Sequence, residues 1–170
     1  MDNRTIKSDR EFILELTREF FNTAILEKIK DFKEFEVKGW EIWLQVEFYL
    51  FLKNHSKIKK VEREIRCAID GRKNKLKSTA ILDFMIHGKN KKAAIPLEIK
   101  QNMSATSCLN NMMKDVRKFQ QIKYSGITTS RNLWCLGVHV GEIHGTVKTE
   151  CPFEITSERI KNTDYFFTLI

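Results

Sequence analysis

Apolar positions divide the chain into stretches with two different periods. Phe12, Leu16, Phe20 and Ile25, with Ile13 and Phe21 beside them, recur at helical spacing, and Ser8 followed by Glu11 is a capping-box signal ahead of them. This predicts an N-terminal helix from about Ser8 to Phe32. Gly39 interrupts the pattern. The stretch WEIWLQVEFYLFLK, from Trp40 to Lys53, predicts a second helix that is apolar nearly all round and therefore buried on most sides. The period then changes. Ile58, Val61, Ile65, Cys67 and Ile69 alternate with charged residues, which predicts a half-exposed strand over Lys57 to Ile69 with an irregularity near Lys60.

Asp70-Gly71 is a strong turn signal, followed by the basic loop RKNKLK. A second strand is predicted over Lys77 to His87, a tight basic turn over Gly88 to Lys92, and a third strand over Ala93 to Gln101. Pro96 inside the third strand points to an edge position or a bulge. Thr106 or Ser107 can cap a helix to about Tyr124, with Leu109, Met112, Met113, Val116 and Phe119 as its apolar stripe. Asn132 to Val140 reads as a buried fourth strand, and Asp164 to Ile170 as a final one. Strands joined by short turns and flanked by helices give an α/β layer pattern with a mixed sheet.

A chain of 170 residues suits one domain. No apolar run of about 18 residues exists, so no transmembrane helix is expected, and no membrane partner. The N-terminal MDNRTIKSDRE does not read as a signal peptide, so a cytoplasmic protein is expected. The four cysteines contain no CxxC pair, so they read as reduced thiols and not as a structural zinc site. The four histidines form no metal-ligand pattern, and no GxxxxGK phosphate loop is present.

Charge adds a location. Residues 1–52 carry 8 basic and 11 acidic side chains, residues 53–100 carry 14 and 5, and residues 101–170 carry 8 and 6. The basic excess sits in the middle segment, where it attracts polyanions or forms a solvated lysine-rich surface.

Within that segment Asp83 lies in an apolar strand, between Ile81-Leu82 and Phe84-Met85. A carboxylate there is costly to desolvate unless it is paired or binds a metal. Glu98 and Lys100 lie in the next strand with one residue between them, so both project from the same face. Hairpin strands run about 4.8 Å apart, close enough for Asp83 to meet Glu98 if the register allows. Two facing carboxylates make a hard oxygen site for Mg²⁺ or Mn²⁺, with the Ile99 backbone carbonyl as a third protein ligand. Such a site serves phosphodiester hydrolysis, and an adjacent lysine can orient or deprotonate the attacking water. A cross-strand Lys–Glu pair on a solvated face is the structural alternative.

On Asp83 in ILDFMI and Glu98-Ile99-Lys100 in IPLEIKQ, the chain resembles the PD-(D/E)XK nuclease superfamily. Leu82 stands where that family often has proline. The resemblance implies a restriction-endonuclease-like core (αβββαβ), a central mixed sheet flanked by helices, over about residues 40–140. The N-terminal helix 8–32 and a C-terminal extension 141–170 would be additions to a single nuclease-like domain. It implies a Mg²⁺-dependent endodeoxyribonuclease acting on DNA, with RNA as a possible substrate and a homodimer as a possible assembly. A non-catalytic nucleic-acid-binding or protein-interaction domain of the same fold is the alternative.

The first core helix of this superfamily often adds an acid. Glu47 sits in the apolar stripe of Trp40, Trp43, Leu44, Leu50 and Phe51 and is preferred as a catalytic or metal-supporting residue, with Gln45 as polar support. Glu41 is the second candidate, since its place at the helix start is explained by the dipole alone. The later helix implies nucleic-acid contacts at Lys118, then Lys114, with Arg117 and Lys123 nearby. The turn residues Arg72, Lys73, Lys75, Lys77, Lys89, Lys91 and Lys92 can grip phosphates or simply solubilise the loops.

Overall fold

A computed structural model describes residues 3–69, 79–120, 122 and 131–170. The chain runs α1 (Asn3–Phe21), α2 (Ile25–Glu34), α3 (Glu41–Asn54), β1 (Ile58–Ala68), β2 (Thr79–Gly88), β3 (Ile95–Ser104), α4 (Ala105–Phe119), β4 (Trp134–Val140), α5 (Thr146–Glu150), β5 (Thr156–Arg159) and β6 (Tyr165–Leu169). The strands form one six-stranded sheet in the order β1-β2-β3-β4-β6-β5. β3 and β4 are parallel and the other neighbours antiparallel, so the architecture is α/β with a mixed sheet. The segment after residue 140 therefore extends the same sheet. No described helix is long and apolar enough to cross a membrane.

Two hydrophobic clusters fill the structure. One joins α1, α2 and α3 to Phe84, Ile86, Leu97, Ile99, Leu136 and Phe167. The other joins α4 to Cys67, Leu82, Met85 and Cys135. Ser104 caps α4, its hydroxyl accepting from the Ser107 N–H at 3.3 Å. α4 lies very close to the sheet over Gly137. A Cβ at that position would stand 2.5 Å from the Met112 Sδ and 2.7 Å from the Cys108 Sγ.

The expected single helix over residues 8–32 is two helices. Thr23 ends the first by donating to the Phe20 carbonyl at 2.7 Å, and its hydroxyl accepts from the Ile25 N–H at 3.4 Å. Ser8 is inside α1 and is not a cap. Its carbonyl and hydroxyl both accept from Lys91, at 2.7 Å each. α3 buries only Leu44, Phe48 and Leu52, whereas Ile42 is 71% and Leu50 47% exposed, contrary to burial on most sides.

Pro96 is not on an edge strand, since β3 is the third strand of six. The Ile99 N–H points toward β2, where it meets Asp83. By alternation the Pro96 nitrogen faces β4, whose ladder begins one residue later at Leu97↔Trp134. The expected irregularity near Lys60 is present as a register shift between Ile58 and Lys60. The Asp70-Gly71 turn, the basic loop with Arg72, Lys73, Lys75 and Lys77, and Lys123 with the expected helix end at Tyr124 lie outside the described residues.

The β1–β2 ribbon changes face where Asp83 stands. Ala80 and Leu82 belong to the α4-side cluster, but Phe84 and Ile86, of the same strand parity, belong to the other. Glu64, between the pairs Arg63↔Phe84 and Ile65↔Leu82, has φ +54°. A left-handed residue in a strand turns the ribbon locally.

Candidate active site

The β2–β3 ladder is short. It pairs Ile86↔Ile95, Met85↔Pro96 and Phe84↔Leu97, and then the strands part. Continued by one step, the register would set Asp83 opposite Glu98. The separation leaves N–H groups of β3 facing a gap, and buried donors need acceptors. Side chains supply them. Asp83 Oδ2 accepts from the Ile99 N–H at 2.8 Å and from the Gln45 Nε2 at 3.0 Å. Glu41 Oε2 accepts from the Gln101 N–H at 2.9 Å. Two carboxylates thus replace a neighbouring strand's carbonyls along the open side of β3.

The opposite alternation places Glu98 and Lys100 toward α4. The Lys100 ammonium lies 3.1 Å from Asp115 Oδ2, 3.4 Å from Glu41 Oε1 and 3.8 Å from Glu98 Oε2. Glu98 is buried, with 6% of its surface exposed, and lies close enough to Asp83 for the two carboxylates to interact. Burial pushes the Glu98 carboxyl up to about 9, and the neighbouring Asp83 and Asp115 charges push the same way against Lys100. For Lys100 burial acts against the charged form, but Asp115, Glu41, Asp83 and Glu98 outweigh it and raise its pKa. The ammonium is therefore firmly protonated.

Four carboxylates and one ammonium share this partly buried volume. Burial and the neighbouring carboxylates favour the protonated form of Glu98, a balance that a nearby cation would reverse, so the chemistry of the donor set fits a divalent cation. Asp83 and Glu98 are the carboxylates that converge and could serve as ligands. The N–H and C=O of one strand residue point to the same side, so the Ile99 carbonyl faces the same gap as its N–H. Among the described residues no three carboxylate, imidazole or thiol groups are gathered closely enough to hold an ion alone. Two carboxylates and a carbonyl match an ion that keeps several waters, as Mg²⁺ does.

Asp83, Glu98, Ile99 and Lys100 are thus brought together, and Gln45 with them. Glu47 is not. Two residues beyond Gln45 is about 200° further round the helix, which turns Glu47 toward α2, where it pairs with Lys28 at 3.0 Å. The helix acid at the site is Glu41. Its position at the start of α3, next to the open end of β3, matters more than its helix-dipole effect. Asp115 has Lys118 as an i, i+3 neighbour on its own helix. That contact is 4.0 Å, longer than its 3.1 Å approach to Lys100. Its signal was available: it is the only acid in α4.

The expected phosphate contacts divide in the same way. Lys114 and Arg117 are exposed on α4, and Lys118 and Lys92 also reach solvent. Lys91 does not serve this purpose, because it lies against Ser8 and 3.2 Å from the buried Asp9, with 11% side-chain exposure. Lys73, Lys75 and Lys77 lie outside the described residues. The cysteines are free thiols. His139 is held between the Gly141 carbonyl at 2.9 Å and the Thr168 hydroxyl at 2.8 Å, away from any ligand cluster. Compared with family models, curated proteins and solved structures, the chain has no match in any of the three.

Proposed function

We propose that this chain is a Mg²⁺- or Mn²⁺-dependent endodeoxyribonuclease with a restriction-endonuclease-like core. The observation that carries the reading is the parting of β2 from β3 after Phe84↔Leu97, with Asp83 and Glu41 accepting the freed N–H groups beside Glu98 and Lys100. An unpaired stretch in mid-sheet, lined by acids and one lysine, has no evident value to the fold itself. The order α3, β1 to β3, α4, β4 is the one the superfamily resemblance implies.

Asp83, Glu98 and the Ile99 carbonyl would hold the ion. Bound there, a divalent ion polarises the phosphoryl oxygen and makes a coordinated water more acidic. Lys100 orients the attacking water and offsets negative charge developing on the phosphate. Gln45 fixes Asp83 by its amide hydrogen bond. Lys114, Arg117 and Lys118 stand on the helix that carries Asp115, where positive charge favours a polyanionic substrate. A homodimer would set two such sites to cut both strands of a duplex.

The test is cleavage of linear, supercoiled, branched and single-stranded DNA, and of RNA, with Mg²⁺, Mn²⁺ or EDTA. Wild type is compared with Asp83→Ala, Glu98→Ala and Lys100→Ala. Cation-dependent DNA cleavage lost in all three variants is expected, and nicked or linear products from supercoiled DNA report single- or double-strand cutting. Cleavage that survives the Asp83 and Glu98 changes, or none by the wild type, sinks the reading.

A further inference from the structure

We propose that Asp115 is a positioning residue that acts through Lys100, holding its ammonium on the α4 side of the site and off Glu98. The proposal rests on the nuclease reading for its catalytic meaning, but the residue pair itself is a matter of geometry. Asp115 is the nearest of the three carboxylates around the Lys100 Nζ, at 3.1 Å against 3.4 Å for Glu41 and 3.8 Å for Glu98. Both partners are largely withdrawn from solvent, with side-chain exposures of 19% for Lys100 and 17% for Asp115. Their attraction is therefore screened less than that of a surface pair.

Asp115 gives its own helix little, since its partner there, Lys118, stands at 4.0 Å. It lies one turn from the C-terminal end of α4, where the helix dipole disfavours an acid. Its neighbours Lys114, Arg117 and Lys118 would leave a uniformly basic surface without it. Position is fixed from below. Cys108 and Met112 seat α4 on Gly137, and the Cys108 thiol donates to the Val138 carbonyl at 3.9 Å. The flank of α4 that carries Asp115 is thereby set against Lys100 on the neighbouring strand.

Consider the site without this carboxylate. Lys100 is flexible at four torsions, and its remaining partners are Glu41 and Glu98. Neutralising Glu98 with its own lysine would set that ammonium in competition with a cation for the same oxygen. Asp115 prevents this by offering a nearer partner on a different element. The lysine then stays beside the ion site as a donor to water and phosphate.

The test uses the full chain as wild type, Asp115→Asn, Asp115→Glu, Lys100→Met and the double variant Lys100→Met/Asp115→Asn. Thermal melts in EDTA come first, because they need neither cation nor substrate. Asp115→Asn is expected to lower Tm while Lys100 is present and to have a much smaller effect in the Lys100→Met background, where only the longer 4.0 Å contact with Lys118 is lost. A Tm change of the same sign and size in both backgrounds overturns the pairing, whatever the protein's activity.

Cleavage kinetics follow. Asp115→Asn is expected to reduce kcat about 10- to 100-fold, the range for losing a group that orients another, with KM little changed. Asp115→Glu should recover part of that loss. A kcat unchanged by Asp115→Asn, or an Asp115→Asn effect confined to KM, overturns action through the lysine. Coupled melts in a wild type that cuts nothing would retain the ion pair, but overturn its catalytic role together with the nuclease reading.

Discussion

Asp83 stands in for a strand: its Oδ2 accepts the Ile99 N–H at 2.8 Å at the point where the backbone of β2 has left β3. One carboxylate thus has a folding role and a chemical role, and the two can be separated. Asparagine retains an acceptor for the Ile99 N–H but loses the charge. Alanine removes both and leaves the Gln45 amide without its partner as well. An unmet buried hydrogen bond costs about 1–3 kcal/mol, and each kcal/mol corresponds to about 2–4 °C of Tm in a chain of this size. Asp83→Asn should therefore melt near the wild type yet fail to cut DNA, whereas Asp83→Ala should fail in both respects. Melting curves beside a cleavage assay check this. Equal destabilisation by the two variants contradicts the hydrogen-bonding role.

The proton on Glu98 gives a stability profile of defined sign. Its folded pKa of about 9 is raised above the ordinary value of 4.5, chiefly by burial and then by Asp83. Between these values the folded protein binds a proton that the unfolded chain has released. Stability from this group is complete below pH 4.5 and is lost progressively as pH rises toward 9. Lys100 is charged in both states over that window and adds no slope. The lowered pKa values of Glu19 and Glu62 give stability already present above their unfolded value. Burial lowers the His139 pKa and gives an opposite slope that ends near pH 6.5, so in EDTA Tm should fall between pH 7 and pH 8.5, and Glu98→Gln should flatten the fall. Mg²⁺ should reverse it by favouring the ionised form and releasing a proton, which calorimetry in two buffers of different ionisation enthalpy can count.

Glu41 and Glu47 differ by six positions in one helix and should differ completely in effect. Glu41 bonds the Gln101 N–H and approaches Lys100, whereas Glu47 pairs with a half-exposed Lys28. Glu41→Gln is expected to reduce cleavage by at least tenfold, as loss of a partner that orients a reactive group does. Glu47→Gln should leave cleavage unchanged and alter stability by about 0–1 kcal/mol, as for a surface pair. Parallel rate and melting measurements on the two variants decide it. A defect confined to Glu47→Gln would restore the assignment made from helix patterning.

That pair also marks the boundary of what the sequence discloses. Asp83, Glu98 and Lys100 were legible because strand alternation is local and the two strands are joined by a short turn. Ile58 to Ala68 was legible, including its irregularity, for the same reason. The helix acid was not, because its choice depends on where α2 and the end of β3 lie, and helical periodicity describes only one element at a time. Pro96 misled for a related reason. Proline forbids a donor on one side of a strand, and which side matters only once β4 is known to start at the next residue. Asp115 was hidden by a plausible local partner, Lys118, when the nearer one came from β3. The break between α1 and α2 was a misjudged propensity, with Asn22-Thr23 acting as a stop inside a continuous apolar pattern.

Packing under α4 should control chemistry at a distance, and Gly137 is the place to test it. The glycine lies on β4 opposite Lys100 in the parallel ladder, and α4 rests directly on it. A methyl group there would meet the Met112 Sδ at 2.5 Å and the Cys108 Sγ at 2.7 Å, contacts that side chains cannot sustain. Met112 can yield in part through its torsions, but Cys108 is short and buried, so α4 must lift. Overpacking of this kind costs about 1–3 kcal/mol. Lifting α4 also draws Asp115 from the Lys100 ammonium. Gly137→Ala should therefore lower Tm and cut kcat together. Adding Cys108→Ala removes the sulfur that cannot yield, so it should restore room beneath the helix and recover part of the activity, even though it removes further core volume. Cleavage rates for the single and double variants, each measured well below its own Tm, make the comparison. A double variant as inactive as Gly137→Ala would mean that the seating of α4 does not set the site.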